Sequence, residues 1–175
     1  RCGVVKDRFM FVAYSAYQHK SIMCFMGEPA QKNAKVLQLL QDGGVPDSRS
    51  GIRFYLTINL RPYKDTGSLE FMFKIDKGAL SDARLCVFLR DISEHPRLAR
   101  ACHSIEATEE YQLISLPLKE FELIEETESP TDRDFDWDIK EITFSISPVA
   151  KEKKIKALIA DMRVVSEGKT IYALL

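Results

Sequence analysis

The stretch GIRFYLTINL, residues 51–60, alternates apolar and polar side chains without interruption. One side of this segment carries Ile52, Phe54, Leu56 and Ile58, and the other carries Arg53, Tyr55, Thr57 and Asn59. A repeat of two residues is typical of a β-strand that buries one face and exposes the other. We therefore predict a half-buried strand here, with the apolar side chains in a core.

The same alternation recurs towards the C-terminus, and turn signals separate the repeats. It covers residues 69–76, 83–91, 111–116, 139–147 and 155–165. The segments at 65–68 and 76–78 are typical of turns, and the acidic stretch at 125–136 is typical of an exposed loop. Short strands at this spacing predict an all-β chain folded as a two-sheet antiparallel β-sandwich.

The first fifty residues are less regular. Residues 9–17 and 35–41 are consistent with strands, although residues 30–41 could instead form a short helix near the N-terminus. The length fits a single β-sandwich domain over residues 1–175, and residues 1–30 are either part of it, an N-terminal extension or the remnant of a preceding domain. Because the chain starts at Arg1, we expect a processed product or a piece of a longer protein.

The composition argues against nucleic-acid and membrane partners. The net charge is −1, charged residues make up 29% of the chain, and basic and acidic side chains are mixed along it. Nucleic-acid binding needs a clustered basic face, and a membrane span needs about 18 or more consecutive apolar residues. The sequence has neither feature, so we expect no nucleic acid and no membrane among the partners.

The cysteines lack the CxxC spacing of zinc ribbons and thioredoxin-like sites; they are Cys2, Cys24, Cys86 and Cys102. Most of them are expected to be small buried or half-buried thiols. A disulfide between Cys86 and Cys102, or between Cys2 and Cys24, is the alternative if the protein is exported.

No catalytic motif is present in the sequence. The histidines are His19, His95 and His103, and none belongs to a nucleophile elbow, a zinc-protease motif or a glycine-rich phosphate loop. We therefore expect a protein that is not itself an enzyme. A small lyase or hydrolase built on the same scaffold is the least favoured alternative.

Four segments, taken in order, resemble a known pattern. They are GSLEF at 67–71, YQLISLPLKEF at 111–121, DWDIKEITF at 136–144 and IKALIADMRVV at 155–165. Together they resemble the strand motifs of jelly-roll carbohydrate-binding modules, a group of galactose-binding-domain-like β-sandwiches, over roughly residues 30–165. Independently of the family, Trp137 precedes a strand with apolar positions at Ile142 and Phe144, so we expect it to close one end of the core.

The resemblance implies a non-catalytic module that binds a polysaccharide or oligosaccharide. Such a module would be an accessory domain beside an adjacent catalytic domain, in a glycoside hydrolase or a polysaccharide lyase. The resemblance also implies a secreted protein, located outside the cell, in the periplasm or at the cell surface. A structural or protein-interaction jelly-roll domain without sugar binding is the alternative, because a single tryptophan is atypical of a glycan binder.

Members of this family often bind a structural calcium through an I-D-D-I motif in the closing strand. Here Ala160 replaces the first aspartate of that motif, and Asp161 matches the second. Because calcium takes six to eight oxygen ligands, loss of a carboxylate weakens such a site. We expect no cofactor, with a weak calcium site at Asp161 as the alternative.

Proteins hold sugars with aromatic rings that stack on the pyranose and with planar polar groups that bind hydroxyls. The outward positions of the predicted strands offer both; the predicted glycan-binding residues are Arg53, Tyr55, Phe88, Arg90 and Tyr111, with Thr143 expected nearby. The N-terminal fifty residues could instead cover Tyr55 and Phe88. Glu70 could pair with Arg53 and Arg90 across strands, an arrangement that stabilises a protein surface only slightly.

Overall fold

The structure is a computed structural model that describes the chain in segments. The described residues are 10–14, 23–26, 36–42, 51–75, 84–93, 96–105, 108–124, 134–147 and 154–175. Within them the chain is almost entirely β-strand, with single-turn 3₁₀ helices at Arg61–Tyr63 and Leu118–Glu120. No helix in this part of the chain is long and apolar enough to cross a membrane.

The described residues form twelve strands in two antiparallel sheets. The strands are β1 (Met10–Tyr14), β2 (Met23–Met26), β3 (Val36–Asp42), β4 (Gly51–Asn59), β5 (Gly67–Ile75), β6 (Arg84–Asp91), β7 (Leu98–Ser104), β8 (Thr108–Pro117), β9 (Glu122–Ile124), β10 (Asp138–Ser147), β11 (Lys154–Ser166) and β12 (Lys169–Ala173). Sheet A has the strand order β1-β4-β10-β6-β7-β9. Sheet B has the order β2-β3-β11-β5-β8, and β12 pairs with the C-terminal half of β11.

The two sheets enclose one apolar core because each strand turns its alternate side chains to the same side. Phe54, Phe71 and Phe144 are all fully buried, and the rings of Phe71 and Phe144 meet edge to face with centroids 5.2 Å apart. Aromatic pairs favour this geometry, and burial of each phenylalanine contributes roughly 1.5–3 kcal/mol. The predicted two-sheet antiparallel β-sandwich is confirmed, and so are these inward-facing phenylalanines.

A β-bulge in β10 lets the strand keep a single buried face. Ile139 and Ile142 are both fully buried, and the register of β10 shifts between Ile139 and Glu141. A bulge inserts one extra residue and so changes the phase of the alternation. Beyond the bulge, Glu141 and Thr143 lie on the side of sheet A that faces away from the core.

A second bulge lies in β11, between Ala160 and Arg163. Asp161 has a left-handed backbone conformation there, with φ of 50°, which aspartate tolerates better than most residues. Met162 is fully buried, and its carbonyl accepts hydrogen bonds from the N–H groups of Leu174 and Leu175 at 2.8 and 3.1 Å. The bulge therefore fastens the last described residues to the closing strand of sheet B.

Trp137 packs against the core at one end of the sandwich, as the sequence predicts. Its carbonyl accepts a hydrogen bond from the N–H of Leu60 at 2.8 Å, and its ring meets Phe135 edge to face at 5.2 Å. These contacts join the residue after β4 to the loop before β10, so the tryptophan acts as a structural plug.

An ion-pair cluster fastens the same end of the sandwich. Arg61 Nη2 donates to Asp136 Oδ1 at 2.6 Å and to Asp138 Oδ2 at 3.2 Å. The hydrogen bond and charge of Asp136, together with the charge of Asp138, raise the pKa of Arg61. Since arginine is already charged at neutral pH, the raised pKa leaves this cluster intact throughout the neutral range.

Asp91 is a fully buried carboxylate at the end of β6. It accepts hydrogen bonds from the Ser93 hydroxyl at 2.7 Å and from the backbone N–H groups of Arg97 and Asp136 at 3.0 and 3.2 Å. A buried carboxylate is stable only with such donors. Asp91 thus links the turn after β6 to the loop before β10.

The N-terminal strands show which of the two predictions for residues 30–41, a strand or a short helix, is correct in the described part of that segment. Residues 36–42 form β3, which pairs with β2 and β11, so a helix is wrong for that part of the segment. β1 pairs with β4 inside the region predicted as a strand over 9–17. Alternation does not predict β9 and β12, because strands of 3 and 5 residues are too short to display it.

Candidate functional site

The candidate site lies on the side of sheet A that faces away from the core, which we call the outer face of sheet A. Two rows of neighbouring residues cross it, as the strand registers define. The first row contains Tyr55, Glu141, Arg90 and Leu98, on β4, β10, β6 and β7. The second row contains Thr143, Phe88 and Arg100, on β10, β6 and β7. Residues in such rows contact across strands and form one surface.

Three of the predicted site residues lie together on this face. Tyr55 and Arg90 flank Glu141 in the first row, and Phe88 lies beside Thr143 in the second. The side chains of Tyr55, Phe88 and Arg90 are all half-buried. Two strand spacings and two residues separate Tyr55 from Phe88, which places their Cα atoms roughly 12 Å apart.

Arg53 occupies the register position opposite Thr143, in line with the second row. Its side chain lies outside the described residues, so its role stays a prediction. In the described part of the chain, β1 joins the edge of sheet A and pairs with β4 rather than lying over the sheet. Tyr55 and Phe88 both keep some exposure, which favours their availability to a ligand.

Tyr111 does not belong to this face, so its predicted place near the other candidates is wrong. It lies on β8 of sheet B, where it packs with Met72 against Leu158 and Ala160. The ammonium group of Lys74 lies over its ring, 5.7 Å from the centroid. Alternation shows which way a side chain points within its strand but not which sheet the strand joins, and this explains the error.

Glu70 also lies in sheet B, and the expected pairing with Arg90 is wrong. Glu70 Oε2 accepts hydrogen bonds from Nε and Nη2 of Arg163 at 3.1 and 3.0 Å. Arg90 is on the other sheet, and its Nε is buried without a hydrogen-bond partner. The outer face of sheet A therefore retains a guanidinium donor that the surrounding protein does not satisfy.

Glu141 is a functional candidate that the sequence analysis missed. The residue is only 4% exposed, although it lies on the outer face, and its Oε1 accepts a hydrogen bond from Thr143 Oγ1 at 2.9 Å. The signal that could have found it is the spacing of Ile139 and Ile142. Two inward isoleucines three positions apart require a bulge, and the bulge turns Glu141 outward.

Arg100 is the second missed candidate. It is exposed and lies directly opposite Phe88, with Glu122 of β9 on its other side. Neither Arg100 nor Arg90 has an ion pair within 4.0 Å among the described residues. The segment 98–104 alternates weakly because it contains small and polar residues, so the sequence pattern gives Arg100 no particular weight.

A disulfide joins Cys86 and Cys102 on the same face, one step along the strands from the second row. The two cysteines face each other directly across β6 and β7. This confirms the alternative of a disulfide for this pair and corrects the expectation of free thiols for it. The bond holds β6 and β7 in register beside Phe88 and Arg100.

The described residues contain no group of three or more histidine, cysteine, aspartate or glutamate side chains that could hold a metal ion. Asp161, the predicted weak calcium ligand, is half-buried at the bulge of β11, and its calcium site stays a prediction. His103 is exposed on β7. His19 and His95 lie outside the described residues.

The outer face of sheet A combines the chemical groups that a ring-shaped polar ligand needs. Phe88 and Tyr55 provide apolar ring surfaces, and Arg90 and Arg100 provide hydrogen-bond donors beside them. Glu141 adds a carboxylate within the first row. Aromatic surface with a few convergent polar groups is the usual composition of a site for a small organic ligand.

The fold and this face define a class: an antiparallel β-sandwich with an aromatic and polar surface on one sheet. No protein-family model matches the chain, and no curated protein matches it in sequence. Among solved structures, it is similar to a family 30 carbohydrate-binding module of a cellulosomal cellulase of Clostridium thermocellum. That similarity has a TM-score of 0.62 and 14% identity, and covers 93% of this chain and 95% of that one.

The chain is also similar to a family 11 carbohydrate-binding module from Clostridium thermocellum, whose structure was solved in complex with a β-1,3-1,4-mixed-linked tetrasaccharide. That similarity has a TM-score of 0.56 and 13% identity, and it covers 90% of this chain and 89% of that one. A further similar structure is SGBP-B from a xyloglucan utilization locus in Bacteroides uniformis, with TM-score 0.53 and 12% identity, covering 89% of this chain and 47% of that one. These likenesses show a shared jelly-roll β-sandwich fold, so the resemblance is confirmed at the level of the fold.

Proposed function

We propose that this chain is a non-catalytic carbohydrate-binding module that holds its ligand on the outer face of sheet A. The observation that carries the proposal is the convergence of Tyr55, Phe88 and Arg90 on one surface. A stacking ring and a hydrogen-bond donor are the two devices that sugar recognition needs. The structural neighbours support the same class, since several of them are carbohydrate-binding modules.

The proposed ligand is a polysaccharide or an oligosaccharide rather than a single sugar. Tyr55 and Phe88 are roughly 12 Å apart, so a ligand that contacts both must be longer than one pyranose ring. The line between them runs obliquely across β4, β10 and β6. A sugar chain lying across the strands would place separate rings on Tyr55 and Phe88.

We also propose that the chain is an accessory module beside the catalytic domain of a glycoside hydrolase or a polysaccharide lyase. We place this protein outside the cell, in the periplasm or at the cell surface. One of the similar structures is a module of a cellulosomal cellulase, which supports such an arrangement. The Cys86–Cys102 disulfide supports export, because disulfides persist in oxidising compartments.

The test is isothermal titration calorimetry against a panel of β-glucans, xylans, mannans and uronic-acid polymers. Phe88→Ala should weaken binding at least tenfold, because burial of a phenylalanine ring is worth about 1.5–3 kcal/mol and each 1.4 kcal/mol is a factor of ten. Phe88→Tyr should retain most of the affinity because it keeps the ring. The matched control is Leu113→Ala, an exposed residue of sheet B, which should bind like the original chain.

Absence of binding to every glycan in the panel would contradict the proposal and favour a protein-interaction domain. One observation supports that second candidate: Leu113 is 56% exposed beside Met72 on the outer face of sheet B. An exposed apolar side chain among others suits a protein contact. Leu113→Glu should then reduce association with a partner protein, and Phe88→Ala should not.

A further inference from the structure

We infer that the ligand of the outer face of sheet A is an anionic polysaccharide, with carboxylate groups as in a polymer of uronic acids. This inference rests on the proposed sugar-binding function and adds the charge of the ligand. The inference is based on the two guanidinium groups near Phe88, those of Arg90 and Arg100. Arg100 lies directly opposite Phe88 on β7, and Arg90 follows two residues later on β6.

Neither arginine has an ion-pair partner in the part of the chain that the structure describes. Arg90 and Arg100 have no carboxylate within 4.0 Å among the described residues, whereas Arg163 on sheet B has one at 3.0 Å. Arg90 Nε is also removed from water without a hydrogen-bond acceptor. Because this atom has almost no accessible surface, a ligand would meet the exposed Arg100 and the accessible part of the half-buried Arg90 instead.

Two carboxylates lie near the arginines on the same face, and neither is a register neighbour of Phe88. Glu141 neighbours Arg90 but is 4% exposed and accepts a hydrogen bond from Thr143, so a ligand has little access to it. Glu122 neighbours Arg100 from the exposed edge strand β9. The one charged residue directly beside Phe88 in its row of described residues is therefore Arg100, which is positive and exposed.

A uronic acid residue matches this arrangement better than a neutral hexose. Its pyranose ring can stack on Phe88 while its carboxylate meets a guanidinium, which binds carboxylates through paired hydrogen bonds. A neutral sugar offers only hydroxyls and leaves both positive charges without counter-charge. Arg100 and Phe88 are direct cross-strand neighbours, so one sugar ring can contact both of them.

The experiment compares oligogalacturonate with its fully methyl-esterified form, which has the same backbone without the charge. The original chain should bind oligogalacturonate at least tenfold more tightly than the ester, and the difference should shrink as salt is raised. Arg100→Gln should reduce binding of oligogalacturonate about tenfold and leave binding of the ester within twofold. The matched control is Arg163→Gln, which removes an arginine from the other sheet and should leave both affinities unchanged.

Each outcome separates this inference from the proposed function. Equal affinity for acid and ester, with Phe88→Ala abolishing both, would overturn the anionic ligand and leave the sugar site standing. Binding of neutral β-glucan alone would do the same. Tight binding of dextran sulfate without binding of oligogalacturonate would overturn the assignment of carboxylate. Binding of none of these polymers, or of any glycan in the panel, would overturn both proposals.

Discussion

The two outer faces of the sandwich differ in the partners that their positively charged side chains have. On sheet B, Arg163 donates twice to Glu70, at 3.0 and 3.1 Å. Lys74 on the same sheet lies over the ring of Tyr111. On sheet A, Arg100 has no ion pair among the described residues, although an aromatic ring lies directly opposite it. Arg163 and Lys74 on sheet B thus have partners on their own sheet, whereas Arg100 on sheet A has no such partner among the described residues.

This contrast between the two faces supports the proposed binding surface more strongly than the exposure of apolar side chains does. Leu113 on sheet B is the more exposed apolar side chain, but a single exposed leucine is ordinary on a protein surface. Phe88 on sheet A is half-buried, yet it lies between a hydroxyl on β10 and a guanidinium on β7 that has no ion pair with any described residue. The combination of a ring with an exposed guanidinium beside it is the reason why we propose sheet A, and not sheet B, as the ligand-binding side.

The largest expected effect comes from breaking the disulfide that supports the sheet A face. The double variant Cys86→Ser and Cys102→Ser should lose about 3 kcal/mol of stability, because the bond closes a loop with a sequence separation of 16. Urea denaturation measures this change. Glycan affinity, measured at a temperature where the variant is folded, should fall as well, since Phe88 and Arg100 lie next to the bond.

The control for this variant is Ser104→Ala, which changes an exposed residue at the end of β7 and leaves the Cys86–Cys102 bond intact. It should unfold at the same urea concentration as the original chain. If the double variant also unfolds at that concentration, the disulfide does not contribute to the sheet A face in solution.

A smaller effect is expected from Glu141→Gln, which removes a negative charge from the sheet A face but keeps an acceptor for Thr143. Because an anionic ligand would no longer meet this charge, its affinity should rise about fivefold, or roughly 1 kcal/mol at an effective dielectric between those of water and protein. The methyl-esterified ligand should bind as before. Titration calorimetry with both ligands measures the difference, and a loss of affinity for oligogalacturonate would mean that Glu141 holds the sugar itself.

The fold follows from local patterns, because alternation of side chains is a property of each strand alone. The runs around Phe54, Phe71 and Phe144 predict their own burial, and the structure agrees. Alternation carries no information on which strands become neighbours. The sequence therefore predicts two sheets but cannot assign β8 to sheet B, and Tyr111 is misplaced for that reason.

The candidate site is only partly predictable, since it depends on register between distant strands. Tyr55, Phe88 and Arg90 are found because each alternates with core residues in its own segment. Arg100 is missed because its importance comes from lying opposite Phe88, a relation that only the β6–β7 register defines. Glu141 is missed because a bulge inverts its direction, although the spacing of neighbouring isoleucines contains that information.

The smallest expected effect is the coupling energy between two oppositely charged residues, which can be measured for one pair on each face. A double-mutant cycle on Arg163 and Glu70 in sheet B should give a coupling energy of about 0.5 kcal/mol and no more than about 1 kcal/mol, because both side chains are partly solvated. The matched cycle uses Arg100 and Glu122 on sheet A, which are register neighbours without an ion pair. It should give a coupling close to zero in the free protein. A coupling on sheet A as large as that on sheet B would show that Arg100 is already neutralised by Glu122, and the argument for a free cation beside Phe88 would fail with it.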